Sequence, residues 1–141
     1  MTEMDELTRR VTQEVTELHQ FFEDWFRGSV EQSTARFARF TDVTAPEFHL
    51  ISPAGAMVDR DQAAAWIWDI HGARPTARMW VDKVTVLVQR STLCLATYEE
   101  WQESPAGQTV RFSSVLFEAD PDVFNGLRWL HVHETWIEPT E

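Results

Sequence analysis

The stretch of residues 125–137, NGLRWLHVHETWI, constrains the fold of this chain more than any other part of it. An Asn-Gly pair is the strongest short turn signal, and the alternation that follows it predicts a long strand. Residues two apart on a strand share a face. One face is therefore expected to carry Leu127, Trp129, His131, His133, Thr135 and Ile137, and the other Arg128, Leu130, Val132, Glu134 and Trp136. Because both faces are largely apolar, the strand is predicted to be covered on both sides.

Helical periodicity dominates the first half of the chain and strand periodicity the second. Apolar residues recur at spacings of three and four over residues 2–27, which predicts an amphipathic helix. Capping signals at Ser29 and Asp59 predict two further, shorter helices. Strands are predicted at 47–52, 56–58, 78–89, 92–102 and 108–119, before the stretch at 125–137. Helices followed by strands with short connections favour an α+β fold with an antiparallel meander.

Composition narrows the classes of protein and partner. The 141 residues suit a single domain spanning 1–141. A formal net charge of −11 makes nucleic acid and anionic membranes poor partners. The chain has no apolar run of membrane-spanning length. Its N-terminus is acidic and lacks the character of a signal peptide. Its single cysteine, Cys94, excludes an internal disulfide, so a cytoplasmic location is predicted.

The burial expected for the strands predicts a homodimer. The helices cover one face of the sheet, and a second copy of the sheet is the simplest cover for the other. The residues expected at this interface are Arg111, Trp129, His131 and His133.

The end of the chain resembles the NTF2-like superfamily, in its SnoaL-like branch. Related small domains often close with Gly, an aromatic or aliphatic residue, His-x-His and a small hydroxyl residue, which here are Gly126, Leu127, His131, His133 and Thr135. Leu127 stands where Trp is common. The resemblance implies N-terminal helices packed on a curved mixed or antiparallel sheet, forming a cone with an internal pocket. It implies a fold rather than an activity, because this superfold carries isomerases, dehydratases, cyclases, hydrolases and non-catalytic modules.

The same tail resembles the association domain of calcium/calmodulin-dependent kinase II. In that domain, arginines in a cavity against the sheet hold a carboxylate. Glu99, Ser114 and Glu134 are expected where those arginines would lie. The resemblance with this departure implies a pocket for a cation, an amine or a polyol rather than an acid.

Seven Trp and nine Phe residues suggest an aromatic-walled cavity, with a core filled by large rings as the alternative. The leading functional prediction is that this pocket binds a small organic molecule of unknown identity, without catalysis. Glu99 and Glu134 would be its polar handles. The ligand-binding residues predicted are Phe22, Trp25, Trp66, Trp101, Phe112, Ser114, Val132 and Trp136.

Two further functions are alternatives, and the sequence leaves open whether the protein is an enzyme. Glu134 and Glu99 have apolar neighbours, and two nearby carboxylates raise one pKa, which would suit a cofactor-free isomerase, dehydratase or cyclase. Against this, Glu134 would pair with Arg128 or Arg111 in a structural bridge. The second alternative is a dimerisation or assembly module.

The His-x-His pair is a weak metal signal. Two imidazoles on one strand face are close enough to share a metal, and His49 is a candidate third ligand. A pair without a clear third ligand is weak support, so no metal site is predicted. The sequence contains no Gly-rich phosphate loop and no nucleophile elbow, and no cofactor is predicted.

Overall fold

The computed structural model describes residues 2–138, so Met1 and residues 139–141 of the predicted domain lie outside it. The helices are α1 (Glu3–Arg27), α2 (Thr34–Thr41) and α3 (Arg60–Asp69). The strands are β1 (Thr44–Ile51), β2 (Met57–Asp59), β3 (Arg78–Arg90), β4 (Leu93–Ser104), β5 (Gly107–Ala119) and β6 (Leu127–Ile137). Among the described residues, no helix has both the length and the apolarity that crossing a membrane requires.

The strands form one six-stranded sheet in the order β2-β1-β6-β5-β4-β3. The pair β1–β6 is parallel and the other neighbouring pairs are antiparallel. The strands β3 to β6 follow one another as the predicted meander. The predicted α+β class, with N-terminal helices on a mixed sheet, is confirmed.

Helix α1 begins and ends where its sequence predicts. Thr2 and Asp5 form a reciprocal capping box, and Gly28 closes the helix in the left-handed conformation with φ 77°. Between these ends, Val11, Val15 and other apolar residues are fully buried against the sheet. Packing of this apolar face holds α1 in place, because helices in proteins owe most of their stability to tertiary packing rather than to propensity.

Helix α2 begins later than predicted. Ser33, not Ser29, is the N-cap, and its Oγ accepts a hydrogen bond from the backbone N–H of Arg36 at 3.2 Å. The carbonyl of Val30 instead accepts a hydrogen bond from His71 Nε2 at 2.7 Å. This tertiary contact holds the stretch before Ser33 outside the helix. The predicted Asp59 cap of α3 is present.

A bulge in β6 overturns the predicted division of its side chains into two faces. Leu116 of β5 lies opposite His131, but its neighbour Phe117 lies opposite Trp129, so Leu130 is an extra residue. An extra residue reverses the alternation from that point on. Trp129 therefore points towards α1, whereas His131 points away from it. The expectation that these two residues share a face was wrong.

The cross-strand pairs define two faces of the sheet. The inner face packs against all three helices, whose apolar residues share one core with it. The outer face is the opposite one. Inner-face residues include Tyr98, Glu100, Arg111, Ser113, Val132, Glu134 and Trp136. Outer-face residues include Thr97, Glu99, Trp101, Phe112, Ser114, His131 and His133.

Candidate functional site

A buried network of ionisable side chains joins α1 to the inner face of the sheet. His19 Nε2 lies 2.8 Å from Glu100 Oε1, and Gln102 donates a 2.6 Å hydrogen bond to the other oxygen of Glu100. Arg111 bridges two carboxylates: its Nε is 3.5 Å from Glu100 Oε2 and its Nη1 is 3.2 Å from Glu134 Oε1. We call His19, Glu100, Arg111 and Glu134 the inner network.

The pKa values of the two carboxyl groups in the inner network are shifted in opposite directions. Burial raises the pKa of Glu100, but the charge and hydrogen bond of His19 and the charge of Arg111 outweigh it and bring the pKa to about 2. For Glu134, burial and the nearby charge of Glu100 raise the pKa to about 7 against the pull of Arg111. Glu100 is therefore the charged member, and Glu134 is the member that takes up a proton near neutral pH.

The pKa values of His19 and of the neighbouring Tyr98 are also shifted by their surroundings. Burial lowers the pKa of His19, but the charge and hydrogen bond of Glu100 outweigh burial, and the net pKa is raised. Burial raises the pKa of Tyr98 well above its ordinary value, and the charges of Glu100 and Glu134 add to that rise. The arrangement thus holds a His–Glu ion pair beside one carboxyl group poised to titrate.

The structure separates the two carboxylates that were expected to share a cavity. Glu99 lies on the outer face, 3.4 Å from Lys83 Nζ, and accepts a hydrogen bond from Trp101 Nε1 at 3.1 Å. Glu134 lies on the inner face and pairs with Arg111, the structural alternative anticipated from the sequence. Arg111 therefore lies inside the protomer, with its guanidinium 4.7 Å from the ring centroid of Trp136, rather than on the outer face.

The predicted pocket walls do not surround one cavity. Trp25 is fully buried and its Nε1 donates to the carbonyl of Ile67 at 2.8 Å. Phe22 stacks on Phe26 with centroids 6.1 Å apart. Trp66 lies on α3 with 56% of its surface exposed.

The other predicted walls are divided between the two sheet faces. On the outer face, Trp101 stacks on Trp80 at 5.9 Å, and Phe112 and Ser114 follow on the neighbouring strand. On the inner face, Val132 is buried and Trp136 is half exposed. The eight residues thus occupy the core, α3 and both sides of the sheet. Phe22 and Trp25 pack in the core, as the alternative anticipated.

Two surface depressions lie elsewhere on the described residues. One of about 430 Å³ runs along α1. Another of about 360 Å³ lies between the α2–β1 connection and the β5–β6 connection, next to Arg60 and Arg128. Neither is lined by a residue of the predicted pocket.

Sequence reasoning missed Glu14, and it considered Glu100 only as a partner of Arg111 on the outer, interface side. Glu14 is fully buried and accepts hydrogen bonds from Arg39, Asn125 and the indole of Trp129. Its position was a readable signal, because it interrupts the apolar stripe of α1 between Val11 and Leu18. For Glu100 the signal was weaker, since its inward direction depends on the register of β4.

Three histidines form a cluster on the outer face. His49 lies directly opposite His131 in the parallel pair β1–β6, with ring centroids 4.6 Å apart, and the His131 and His133 centroids are 6.4 Å apart. His131 Nδ1 is buried and has no hydrogen-bond partner within residues 2–138. We call His49, His131 and His133 the histidine cluster. In the described part of the chain, no three His, Cys, Asp or Glu side chains are placed to hold a metal ion together.

Comparisons with known proteins assign the chain to a family. The family model described as "Sucrose-6-phosphate phosphohydrolase C-terminal" matches residues 11–138. The chain belongs to this family. The match runs from within α1 to the end of β6, so it covers the helices, the sheet, the inner network and the histidine cluster.

The curated relatives that this chain matches are plant sucrose-phosphatases. The chain is 28% identical over 127 residues to sucrose-phosphatase 2 from Nicotiana tabacum, with 88% of the chain and 30% of the relative covered. It is 27% identical over 128 residues to sucrose-phosphatase 1 from the same plant, with 89% and 30% covered. The chain therefore spans less than a third of the length of these relatives.

Solved structures confirm the predicted NTF2-like fold. An NTF2-like protein of unknown function from Pseudomonas aeruginosa is 24% identical, with a TM-score of 0.80 and with 89% of this chain and 97% of that chain covered. A CaMKII hub from S. rosetta shares the fold at 10% identity, with a TM-score of 0.69 and coverage of 97% and 98%. At these identities the likeness extends to the fold alone.

The family assignment overturns the functional predictions made from the sequence. Binding of a small organic molecule in an aromatic, acid-containing pocket is not supported, because the matches are to sucrose-phosphatases and their C-terminal family. The alternatives of a cofactor-free isomerase, dehydratase or cyclase, and of a bare dimerisation or assembly module, are replaced on the same ground. Glu134 and Glu99, the acid–base candidates of the first alternative, lie on opposite faces of the sheet.

Proposed function

We propose that this chain, with 1–141 as one domain, is an accessory domain in sucrose 6-phosphate hydrolysis. The observation that carries the proposal is the family match over residues 11–138, together with curated relatives that are sucrose-phosphatases. The domain covers 30% of those relatives, so the remaining length is available for the hydrolytic machinery. In this role the domain supports a phosphatase domain, carried on the same or another chain, rather than cleaving the phosphate ester itself.

A chimera tests this role. The matching segment of tobacco sucrose-phosphatase 2 is replaced by this chain, and phosphate release from sucrose 6-phosphate is measured. We expect the chimera to keep activity within about tenfold of the parent, which corresponds to ~1.4 kcal/mol in transition-state stabilisation. A parent lacking the segment is the first control. A parent carrying an NTF2-like domain from outside the family is the second. If the chimera is no more active than these controls, the proposal is wrong.

We further propose that the partner of the domain is a second copy, bound through the outer face. The helices of the described chain pack on the inner face, and the outer face leaves apolar side chains in solvent. Phe112 on β5 is 41% exposed and Val88 on β3 is 43% exposed. Leu95 on β4 and Leu116 on β5 are partly exposed on the same face. An apolar sheet face of this kind is typical of a protein–protein interface. His131 and His133 belong to this interface, whereas Trp129 and Arg111 face inward.

Association with another copy is in keeping with other proteins of this fold. They include a CaMKII hub and a protein described as a putative calcium/calmodulin-dependent kinase II association domain. A C2 dimer presents the same patch twice, so a single substitution disturbs the contact from both sides.

Sedimentation velocity at micromolar protein and pH 7.5 tests the homodimer. We expect a dimer for the native chain and a monomer for Phe112→Glu, because the new carboxylate would be buried twice in one interface. Trp66→Glu is the matched control, since Trp66 is an exposed aromatic residue on α3 away from the outer face. A native chain that sediments as a monomer, or a Phe112→Glu variant that still dimerises, would contradict the proposed interface.

The cytoplasmic location stays a prediction.

A further inference from the structure

The histidine cluster lies within the face proposed for dimerisation. His131 is flanked by His49 on β1 and by Leu116 on β5, and Ser114 lies opposite His133. The nearest cross-strand neighbours on β5 are therefore uncharged. Three imidazoles would be enclosed when two outer faces meet, together with their three copies on the second protomer.

The acidic groups near the cluster are engaged elsewhere. Asp59 lies opposite His49 but accepts a 2.8 Å hydrogen bond from the backbone of Gln62 as the cap of α3. Glu99, on the same face, pairs with Lys83. Glu47 contacts His49 through its backbone carbonyl, 3.1 Å from the ring Nδ1.

Two more charged residues, Glu118 and Arg128, lie opposite each other further along β5 and β6, and Arg128 binds Asp120 at 2.7 Å. Within residues 2–138, no imidazole of the cluster is hydrogen-bonded to a carboxylate. A protonated ring in this cluster would therefore lack a counter-charge and face two like neighbours.

The protomer already disfavours a charged His131. Burial lowers the pKa of His131, and the charges of His49 and His133 lower it further. Enclosure by a second copy would remove more water from these rings and strengthen the repulsion between charged imidazoles.

We propose that the histidine cluster makes the homodimer sensitive to pH: neutral imidazoles let the outer faces close, and their protonation between about pH 7 and pH 5.5 separates the protomers. This inference rests on the homodimer proposed above. Protons bind better to the separated protomers than to the dimer, so acidification pulls the equilibrium towards monomer by mass action.

The overall charge of the protein would produce the opposite trend. The chain carries a formal net charge of −11 at pH 7, and its sequence pI is about 4.8. Acidification towards that pI reduces repulsion between two copies and would by itself strengthen association. Dissociation on acidification therefore points to the histidines and not to the global charge.

Loss of the folded protomer would not imitate this effect. The raised pKa values of His19 and Glu134 mean that both groups favour the folded state at lower pH. The contribution of Glu100 is lost only below about pH 5, as pH falls from the pKa of an unfolded glutamate towards the folded-state value of about 2. Between pH 7.5 and 5.5 the inner network thus stabilises the fold as the proposed interface weakens.

Sedimentation velocity at pH 7.5 and pH 5.5, with the full chain, measures the dimer dissociation constant. An ordinary imidazole that must stay neutral in the dimer would raise this constant about tenfold at pH 5.5. Because the pKa of His131 is already lowered in the protomer, we expect a severalfold rise. The variant H49Q/H131Q/H133Q should have the same constant at both values. His71→Gln is the control, because His71 bonds Val30 on the helical side and should leave the pH dependence intact.

A second measurement does not depend on the triple variant. Titration of the His131 ring by NMR should give a lower midpoint in the native dimer than in the monomeric Phe112→Glu variant. A dimer whose dissociation constant is unchanged or falls at pH 5.5 would overturn the inference alone. A native chain that is monomeric at pH 7.5 would overturn the homodimer and the inference with it. Neither result bears on the chimera test of the accessory role.

Discussion

Glu14 and Trp129 lie 115 positions apart in the chain, and Glu14 Oε2 accepts a 2.8 Å hydrogen bond from the indole Nε1 of Trp129. Arg39 completes the site by donating to both oxygens of Glu14, at 2.7 and 3.1 Å. Helix α1, helix α2 and strand β6 therefore meet at one fully buried carboxylate. Such a group is tolerated inside a protein because its hydrogen-bonding capacity is satisfied.

Glu14→Ala should destabilise the protein strongly. The change leaves the guanidinium of Arg39 and the N–H of Trp129 without their acceptor, and breaking a buried pair costs about 3–5 kcal/mol. Urea unfolding followed by tryptophan fluorescence would measure the loss.

Two variants serve as controls for this prediction. Glu14→Gln keeps an oxygen acceptor and should lose less stability than Glu14→Ala. Glu17→Ala removes a carboxylate whose side chain is 46% exposed and 3.7 Å from Arg39, and should change the free energy of unfolding by no more than about 1 kcal/mol. Equal losses for Glu14→Ala and Glu17→Ala would mean that burial of Glu14 does not matter.

Stability should fall as pH rises towards neutrality because of Glu134. Its folded-state pKa of about 7 lies above that of an unfolded chain, so its contribution is full below about pH 4.3 and is lost as pH rises through 7. Each pH unit between about 4.3 and 7 should cost up to about 1.4 kcal/mol from this group, and little further loss should follow above pH 7. Free energies of unfolding at pH 5.5, 7.0 and 8.5 would show the decline.

Glu134→Gln tests the assignment, because the amide keeps the size of the side chain and cannot ionise. The variant should show a clearly flatter pH dependence between 5.5 and 8.5, with His19 contributing what slope remains. Glu138→Gln, at an exposed position just after β6, should leave the slope as it is in the native chain. A native slope in Glu134→Gln would assign the titration to another group.

Deletion of Leu130 should disrupt the sheet far more than its truncation does. Removing the bulge residue restores simple alternation, which would turn either Trp129 or His131 to the wrong face. We expect loss of Trp129 burial and of at least about 3 kcal/mol, the scale of an aromatic residue removed from a core. Leu130→Ala keeps the bulge and should cost less, because Leu130 is only partly buried. Circular dichroism and urea unfolding would compare the two variants.

Local patterns in the sequence were enough to predict most of the secondary structure. The caps of α1 and α3, the meander strands and the α+β class all follow from signals within a few residues of each other. The cap of α2 failed because Val30 is held by His71, a residue 41 positions away. The pairing of Glu134 with Arg111 was also anticipated as one of two possibilities, since both sit on neighbouring strands.

Periodicity and capping are local properties of the chain, so they were enough to predict which helices and strands form. The tertiary structure decided the faces: a single bulge at Leu130 placed Trp129 on Glu14 and left His131 beside His49 outside. It also decided that Glu100, not Glu99, meets His19, 81 positions away. The physical reason is that the direction of a strand side chain depends on register with its partners, and one extra residue reverses it.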